Sequence, residues 1–256
     1  MTLHHEVDGP PDAPPVLFAG SLGTTLRMWD PLLTELGNET ALRTIAYDQL
    51  GHGASPAPSG PYSVAQLGEA ALALLDDLGI ARASFVGVSI GGMVGQWLAA
   101  HAPDRVDRLV LLCTSAHLPP PEAWEDRART VLDSGTVDVI ADAVVARWVT
   151  PPFAEAHPDV VAWLRAMLAT QPPAGYAACC AAIAAMDQRK DLASIAAPTL
   201  VIGGAQDHAI PTEHQHHLAR EIRGARLEVL DPGAHVVSVE RPDAVAHLIA
   251  DHLEGP

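Results

Sequence analysis

The most regular feature of the chain is a series of short runs that are hydrophobic at nearly every position. They cover residues 16–19, 42–47, 84–88, 109–113, 200–203 and 227–230. Continuous rather than alternating hydrophobicity predicts strands that are buried on both faces of a parallel sheet. Between these runs, apolar residues recur at helical spacing over residues 64–78, 92–101 and 244–253. The alternation of strands and helices predicts an α/β fold with a mostly parallel, doubly wound sheet.

The alternation is interrupted once, between residues 119 and 186, where no buried strand is predicted. Helical segments are expected there over 122–132, 137–148, 159–169 and 175–186, and prolines at 151–152, 158 and 172–173 separate them. We interpret 119–186 as a helical cap inserted into a core made of residues 1–118 and 187–256. A cap of this kind is expected over the carboxyl edge of the sheet, where ligands bind in such folds.

Composition and charge exclude several classes of protein. The 256 residues are 48% hydrophobic, which is typical of a globular chain, and 15 Lys+Arg against 31 Asp+Glu give a net charge of −16. That charge, with no cluster of basic residues, argues against a nucleic-acid partner and weakly against an anionic substrate. No apolar run approaches the roughly 20 residues of a membrane span, and no secretory signal is evident at the N-terminus. We therefore expect a cytoplasmic protein, either a monomer or a homodimer, that does not associate with membranes.

The three cysteines, Cys113 and the adjacent Cys179 and Cys180, are expected to be free and buried, because each lies in apolar sequence. No group of His, Cys, Asp and Glu residues has the spacing of a metal site. We therefore expect neither a disulfide framework nor a metal.

Residues Gly87-Val88-Ser89-Ile90-Gly91 fit the pattern G-x-S-x-G, with a predicted strand before them and a predicted helix after them. This context is the one in which a nucleophile elbow occurs: a sharp turn presents the serine at the end of a strand, and glycines leave room for neighbouring backbone. The turn also places Ser89 at a helix N-terminus, which favours developing negative charge. We predict that Ser89 is a catalytic nucleophile.

A serine nucleophile needs a histidine base and an acid that orients it, and in this topology both follow later strands. Asp207 follows the strand at 200–203, and His235 follows the strand at 227–230, so both are expected at the same edge of the sheet as Ser89. The alternatives are that Asp207 caps the following helix and that His235 is an ordinary loop residue. His52 is interpreted as stabilising a turn, with contact to substrate as its alternative.

Hydrolysis of an acyl group also needs hydrogen-bond donors for the oxyanion that forms at the carbonyl. The backbone N–H of Ile90, directly after the nucleophile, is one predicted donor. The loop after the first long strand should supply the other, and aligning that loop so that Trp29 opens the next helix makes Leu22 the donor.

With these residues in place, the chain resembles the α/β-hydrolase superfamily over essentially its whole length, and more narrowly the 3-oxoadipate enol-lactonases of protocatechuate breakdown. Segments at 21–30, 47–53, 60–62, 87–92, 147–148, 175–176 and 239–242 carry the resemblance. It departs from that family in having only residues 2–7 available for strands before residue 16, in Gln49-Leu50 where an arginine before Gly51 is usual, and at residues 187–191.

The resemblance implies a cofactor-free serine hydrolase that opens 3-oxoadipate enol-lactone. Alternatives are a carboxylesterase or perhydrolase-type enzyme acting on another small ester or lactone, and a non-catalytic ligand receptor on the same scaffold. The enol-lactone carries a carboxylate, so a cation should face the pocket. Arg27 and Arg147 are the candidates, each with a surface or helix-pairing role as its alternative. Trp124 and Trp148 are further candidate substrate contacts, although they can equally form the core of the cap.

Overall fold

A computed structural model describes residues 2–255 of the chain. Its core is a seven-stranded sheet in the order β1-β3-β2-β4-β5-β6-β7, in which β1 pairs antiparallel with β3 and all other pairs are parallel. The strands are β1 (His5–Asp8), β2 (Pro15–Ala19), β3 (Arg43–Tyr47), β4 (Ala83–Val88), β5 (Val106–Leu112), β6 (Thr199–Gly204) and β7 (Arg226–Leu230). The six hydrophobic runs correspond to β2–β7, so the prediction of a mostly parallel α/β fold is confirmed.

Helices flank this sheet. The helices are α1 (Asp30–Glu39), α2 (Val64–Asp77), α3 (Ile90–His101), α4 (Pro121–Ser134), α5 (Asp138–Val145), α6 (Pro151–Ala156), α7 (Pro158–Ala169), α8 (Pro173–Ala185), α9 (Thr212–Glu221), α10 (Val237–Glu240) and α11 (Pro242–Glu254). Within the described range, α1 packs on α11, and α2 packs on α3. Every residue of β4 and of β6 is buried, as expected for strands covered on both faces.

Five helices, α4–α8, lie between β5 and β6, where the sequence predicted four. The additional one is α6, because Pro151 and Pro152 occupy its first turn instead of separating two helices. Proline is tolerated there, since the first N–H groups of a helix have no intrahelical acceptor, and the Thr150 side chain caps the helix by accepting from the Phe153 N–H. The predicted helix over 137–148 is also shorter than expected, since α5 ends at Val145 and leaves Trp148 in a turn.

The two ends of this helical segment lie side by side. His117 and Asp187 form an isolated antiparallel bridge, and the Gln188 N–H donates to the Ala116 carbonyl over 2.8 Å. The chain therefore leaves the sheet and returns to it at neighbouring points, close to the predicted boundaries at 119 and 186. The division into core and cap remains a prediction that this geometry supports.

The edge of the sheet before β2 is short, since the single strand β1 precedes it in residues 2–14. The three cysteines are free and buried, as predicted. Among residues 2–255, no helix has both the length and the apolar character needed to cross a membrane.

Candidate active site

Ser89 occupies the sharp turn between β4 and α3 with φ 56° and ψ −119°, a conformation that a residue with a side chain rarely adopts. Backbone hydrogen bonds hold it there. The Ser89 N–H donates to the Leu112 carbonyl over 3.0 Å, and the Thr114 hydroxyl donates to the Ser89 carbonyl over 2.6 Å. Hydrogen bonds to the end of β5 and to Thr114 just beyond it thus hold a strained turn in place, which is typical of a functional position.

The two glycines of the G-x-S-x-G pattern are required by close packing. A Cβ on Gly91 would lie 2.0 Å from the Ala19 carbonyl oxygen at the end of β2, and a Cβ on Gly87 would lie 2.3 Å from the Gly91 carbonyl oxygen. Both neighbours are backbone atoms, which cannot rotate away as a side chain could. The pattern read from the sequence therefore has a steric cause in the fold.

Asp207 and His235 form a buried pair at the same edge of the sheet. The His235 Nδ1 lies 2.9 Å from Asp207 Oδ2, and Asp207 Oδ1 accepts from the N–H groups of Ala209 and Ile210 over 2.8 and 2.9 Å. Because a carboxylate only accepts, the His235 Nδ1 carries the proton and Nε2 is left with a free lone pair. The alternative that Asp207 caps α9 is wrong, because α9 begins at Thr212 after Pro211 and Asp207 bonds to the preceding turn.

A small pocket brings the predicted nucleophile and base together. Its lining combines residues from the sheet edge with residues from the α4–α8 segment. They are Ser21, Leu22, Ser89, Trp124, Arg127, Val144, Arg147, Trp148, Tyr176, Ala209, Ile210 and His235. Two of the departures from the family pattern, Gln49 and residues 187–191, do not line it.

Of the two predicted oxyanion donors, Leu22 lines the pocket, and Ile90 directly follows the pocket-lining Ser89. Ile90 is the first residue of α3, so its N–H has no acceptor within the helix. Leu22 lines the pocket, in the loop that follows β2. A hydrogen bond from the next residue fixes that loop: the Gly23 N–H donates to Nε2 of His52 over 2.9 Å.

His52 is fully buried and does not line the pocket, which agrees with its interpretation as a residue that stabilises a turn. Burial lowers the pKa of His52 from 6.5 to about 4, so the imidazole is neutral near pH 7. A neutral ring is required here, because Nε2 accepts a hydrogen bond from the Gly23 N–H.

Arg27 is not in this pocket, which corrects one of the two substrate-binding candidates. Its guanidinium forms ion pairs with Glu6 and Asp30, and its side chain is 50% exposed. The cause is the short 3-10 helix Leu26–Trp29, which turns Arg27 toward β1 while its neighbours Leu26 and Met28 are buried.

Arg147 does line the pocket, and so does Arg127, which was not predicted from the sequence. The Arg127 guanidinium lies 4.6 Å from the centre of the Trp124 ring, a cation–π contact between residues three positions apart on α4. Burial lowers the pKa of Arg147, and the positive charge of Arg127 lowers it further. The helical spacing of Trp124 and Arg127 is the signal that could have identified the second arginine.

The other two arginines of the 119–186 segment have carboxylate partners. Arg129 pairs with Asp126 at 2.9 Å, and Arg165 pairs with Asp138 and Asp142 at 2.9 and 2.6 Å. In the described part of the chain, Arg127 and Arg147 form no such ion pair. The pocket is thus lined by two guanidinium groups that have no carboxylate partner in residues 2–255.

The three tryptophans of this segment have different environments. Trp148 is buried and Trp124 is partly buried, and both line the pocket. Trp163 instead lines a separate surface groove with Phe153 and His157. In residues 2–255, no group of three or more His, Cys, Asp or Glu side chains is arranged to hold a metal ion.

Comparison with known proteins identifies relatives of this arrangement. The family model described as alpha/beta hydrolase fold matches residues 14–147. The chain is 40% identical over 249 residues to 3-oxoadipate enol-lactonase 2 of Acinetobacter baylyi, covering 97% of this chain and 92% of that protein. It is 32% identical to 3-oxoadipate enol-lactonase 1 of the same organism, covering 99% and 93% of the two chains.

A solved structure gives the same result. The crystal structure of the enol-lactonase from Burkholderia xenovorans superposes with a TM-score of 0.95 at 40% identity, covering 99% of this chain and 96% of that one. The resemblance inferred from the sequence motifs is confirmed. The chain belongs to the α/β-hydrolase family and, within it, to the family of the 3-oxoadipate enol-lactonases.

Proposed function

We propose that this hydrolase opens 3-oxoadipate enol-lactone, with Ser89 as nucleophile, His235 as general base and Asp207 as the group that orients His235. The observation that carries the proposal is one pocket that holds Ser89 at a strained elbow, the His235 of a buried His–Asp pair, and two arginines with no carboxylate partner in the described part of the chain. The two relatives from Acinetobacter baylyi are named for hydrolysis of this lactone, and their similarity extends over nearly the whole chain.

The first half of the reaction forms an acyl-enzyme. Nε2 of His235 takes the proton of the Ser89 hydroxyl as Oγ attacks the lactone carbonyl, and Asp207 stabilises the resulting imidazolium. The backbone N–H groups of Leu22 and Ile90 donate to the oxyanion of the tetrahedral intermediate. Collapse of the intermediate breaks the ring C–O bond, and the enol oxygen that leaves takes the proton from His235.

The second half releases the product. The enol tautomerises to a ketone, and Nε2 of His235 takes a proton from a water molecule that attacks the acyl carbon. The bond to Ser89 Oγ breaks, and Oγ recovers the proton. One water is consumed, the new carboxylic acid loses its proton to solvent, and 3-oxoadipate leaves as a dicarboxylate. The chain supplies every group that these steps need, so we propose that the reaction requires no cofactor.

The substrate also carries a carboxylate that is not part of the ring. We propose that Arg127 and Arg147 bind it, and that Trp124 and Trp148 pack against its apolar part. All four residues belong to the 119–186 segment, so that segment acts as a cap that closes the pocket over the sheet edge.

The direct test is hydrolysis of the enol-lactone, followed by its loss of ultraviolet absorbance. Ser89→Ala should lower kcat by at least about 10⁴-fold, because the remaining groups cannot form the acyl-enzyme. The matched control is Ser59→Ala, which changes an exposed loop serine and should leave kcat unchanged.

Near-wild-type hydrolysis by Ser89→Ala would refute the proposed nucleophile. A panel of neutral short-chain esters tests the substrate separately. If such esters are turned over with a higher kcat/KM than the anionic lactone, the chain is a carboxylesterase instead. Labelling of Ser89 by a fluorophosphonate without multiple turnover of any ester would indicate a ligand receptor.

A further inference from the structure

Gln206, the residue before Asp207, forms two hydrogen bonds to the loop that carries His235. The Gln206 N–H donates to the Gly233 carbonyl over 2.8 Å, and the Gly233 N–H donates to Gln206 Oε1 over 2.8 Å. Because Gln206 directly precedes Asp207, these bonds fix the turn of the acid relative to the loop of the base.

A buried carboxylate holds the same loop from the opposite side. Glu240, the last residue of α10, is only 6% exposed. Its Oε2 accepts from the Ala234 N–H over 2.9 Å. Its Oε1 accepts from the Thr150 N–H over 3.1 Å and from the Thr150 hydroxyl. Hydrogen bonds of this kind, from neutral donors to an ionised acceptor, are stronger than bonds between neutral groups.

The partner of Glu240 closely follows, in the chain, residues that line the pocket. Thr150 lies two residues after Trp148, which lines the pocket beside Arg147. The Trp148 carbonyl itself accepts from the Val236 N–H over 2.9 Å. The two N–H groups that flank His235 in the chain, those of Ala234 and Val236, are therefore both tied to the turn at 148–150, one of them through Glu240.

We propose that Glu240 is a positioning residue, whose carboxylate joins the backbone beside His235 to Thr150 and so fixes the imidazole relative to the arginine-bearing wall of the pocket. The inference rests on the proposed role of His235 as the base. Glu240 touches neither the reacting atoms nor the Asp207 carboxylate, and it acts through the position of His235. Displacement of a catalytic group by about 1 Å can cost roughly 100-fold in rate, so a distant carboxylate can control catalysis in this way.

The test is Glu240→Gln, assayed with the enol-lactone and with p-nitrophenyl acetate. An amide has one acceptor oxygen where the carboxylate has two, so its NH₂ group meets an N–H of Ala234 or Thr150. We expect kcat to fall about 10- to 100-fold for both substrates while KM changes by less than about twofold. The low-field proton resonance of the His235 Nδ1–H, which reports its bond to Asp207, should shift or broaden.

Two controls separate positioning from a general loss of stability. Val64→Ala removes buried volume from α2, the helix between β3 and β4, and should lower the melting temperature with kcat unchanged. Thr150→Ser keeps the hydroxyl donor to Glu240 and should retain wild-type kcat, whereas Thr150→Val removes that donor and should lower kcat. If Glu240→Gln does not fold, the comparison of Thr150→Ser with Thr150→Val tests the proposal instead. Equal kcat values for these two variants would overturn it.

Folded Glu240→Gln with kcat within twofold of wild type would also overturn it, as would an equal loss of kcat in Val64→Ala. Ser89→Ala assayed with p-nitrophenyl acetate identifies which idea has failed. If that variant is inactive while Glu240→Gln is fully active, only the role of Glu240 is wrong. If Ser89→Ala remains active, the proposed catalytic residues are wrong, and the proposed role of Glu240, which depends on them, is wrong as well.

Discussion

At the scale of single residues, His52 shows how a fully buried titratable group supports the pocket without entering it. Its Nε2 accepts the hydrogen bond that holds Gly23, one residue after the proposed oxyanion donor Leu22. Burial depresses its pKa to about 4, since the charged ring would lose its hydration and its Nε2 would become a donor facing another donor. The loop therefore depends on a neutral His52.

This dependence predicts how stability changes with pH. Between pH 6.5 and about 4 the unfolded chain binds a proton at His52 that the folded chain does not bind, so acid favours unfolding. The contribution of His52 to the free energy of unfolding should fall by roughly 3 kcal/mol over that interval. Urea denaturation at several pH values measures it, with His52→Gln as the control, because the glutamine oxygen accepts from Gly23 without titrating. Parallel pH profiles for the two proteins would contradict the prediction.

Sequence predicts residues well where local chain geometry dictates them. Ser89 was identifiable because an elbow requires glycines at fixed spacing around it, and Asp207 and His235 because each follows a predicted strand. Glu240 and Arg127 were not predicted, since their roles arise only when distant segments pack together. Thr150 and Glu240 are 90 positions apart in sequence, and no periodicity within either segment indicates that contact.

At the scale of elements, the turn between β4 and α3 is a tightly constrained junction. The helix can begin at Ile90 only because residue 91 is a glycine that passes against the end of β2. A Cβ at that position would lie 2.0 Å from the Ala19 carbonyl oxygen. The crossing of a helix N-terminus and a neighbouring strand thus sets the position of the nucleophile.

Gly91→Ala should therefore destabilise the protein by about 3 kcal/mol or more and lower kcat, because backbone must move to admit the methyl group. The control is Gly37→Ala in α1, where nothing lies within 4 Å of the added Cβ. That change should raise stability by roughly 0.5–1 kcal/mol, since alanine favours the helix. Thermal unfolding and lactone hydrolysis measure both effects, and equal stabilities for the two variants would show that the elbow tolerates a side chain.

Elements were predictable where burial alone determines them. The central strands of a parallel sheet are covered on both faces, so hydrophobic runs located them closely. The run at 227–230 also located β7, although that edge strand is only partly buried. The helices at 119–186 were harder, because proline both ends helices and begins them. Pro151 opens α6 only because Thr150 caps it, while the same threonine bonds to Glu240. That tertiary contact has no counterpart in the local sequence.

At the scale of the whole molecule, a net charge of −16 surrounds a pocket whose two guanidinium groups have no carboxylate partner among residues 2–255. The overall charge led to a weak expectation against anionic substrates, but a partly buried site is governed by its nearest charges, since solvent screens the distant ones. The acidity of the surface and the proposed preference for an anionic lactone are therefore compatible.

Arg127→Met should raise the KM for the anionic lactone about 10- to 100-fold, the loss expected when a charged hydrogen-bond donor is removed. The KM for a neutral ester should change by less than about twofold, because such an ester has no carboxylate for Arg127 to bind. Arg129→Met is the matched control, since Arg129 lies on the same helix and pairs with Asp126. Steady-state kinetics measure all three proteins. A similar rise in KM for Arg129→Met would show a general loss of surface charge rather than a binding site.

The bridge between His117 and Asp187 has an evolutionary consequence. A segment whose ends are adjacent can be lengthened, shortened or exchanged without altering the register of the strands on either side of it. Ser89, Asp207 and His235 lie outside that segment, whereas Trp124, Arg127, Arg147 and Trp148 lie within it. Selection can therefore change what the pocket accepts by rewriting one contiguous stretch of gene, while the reacting groups are inherited intact.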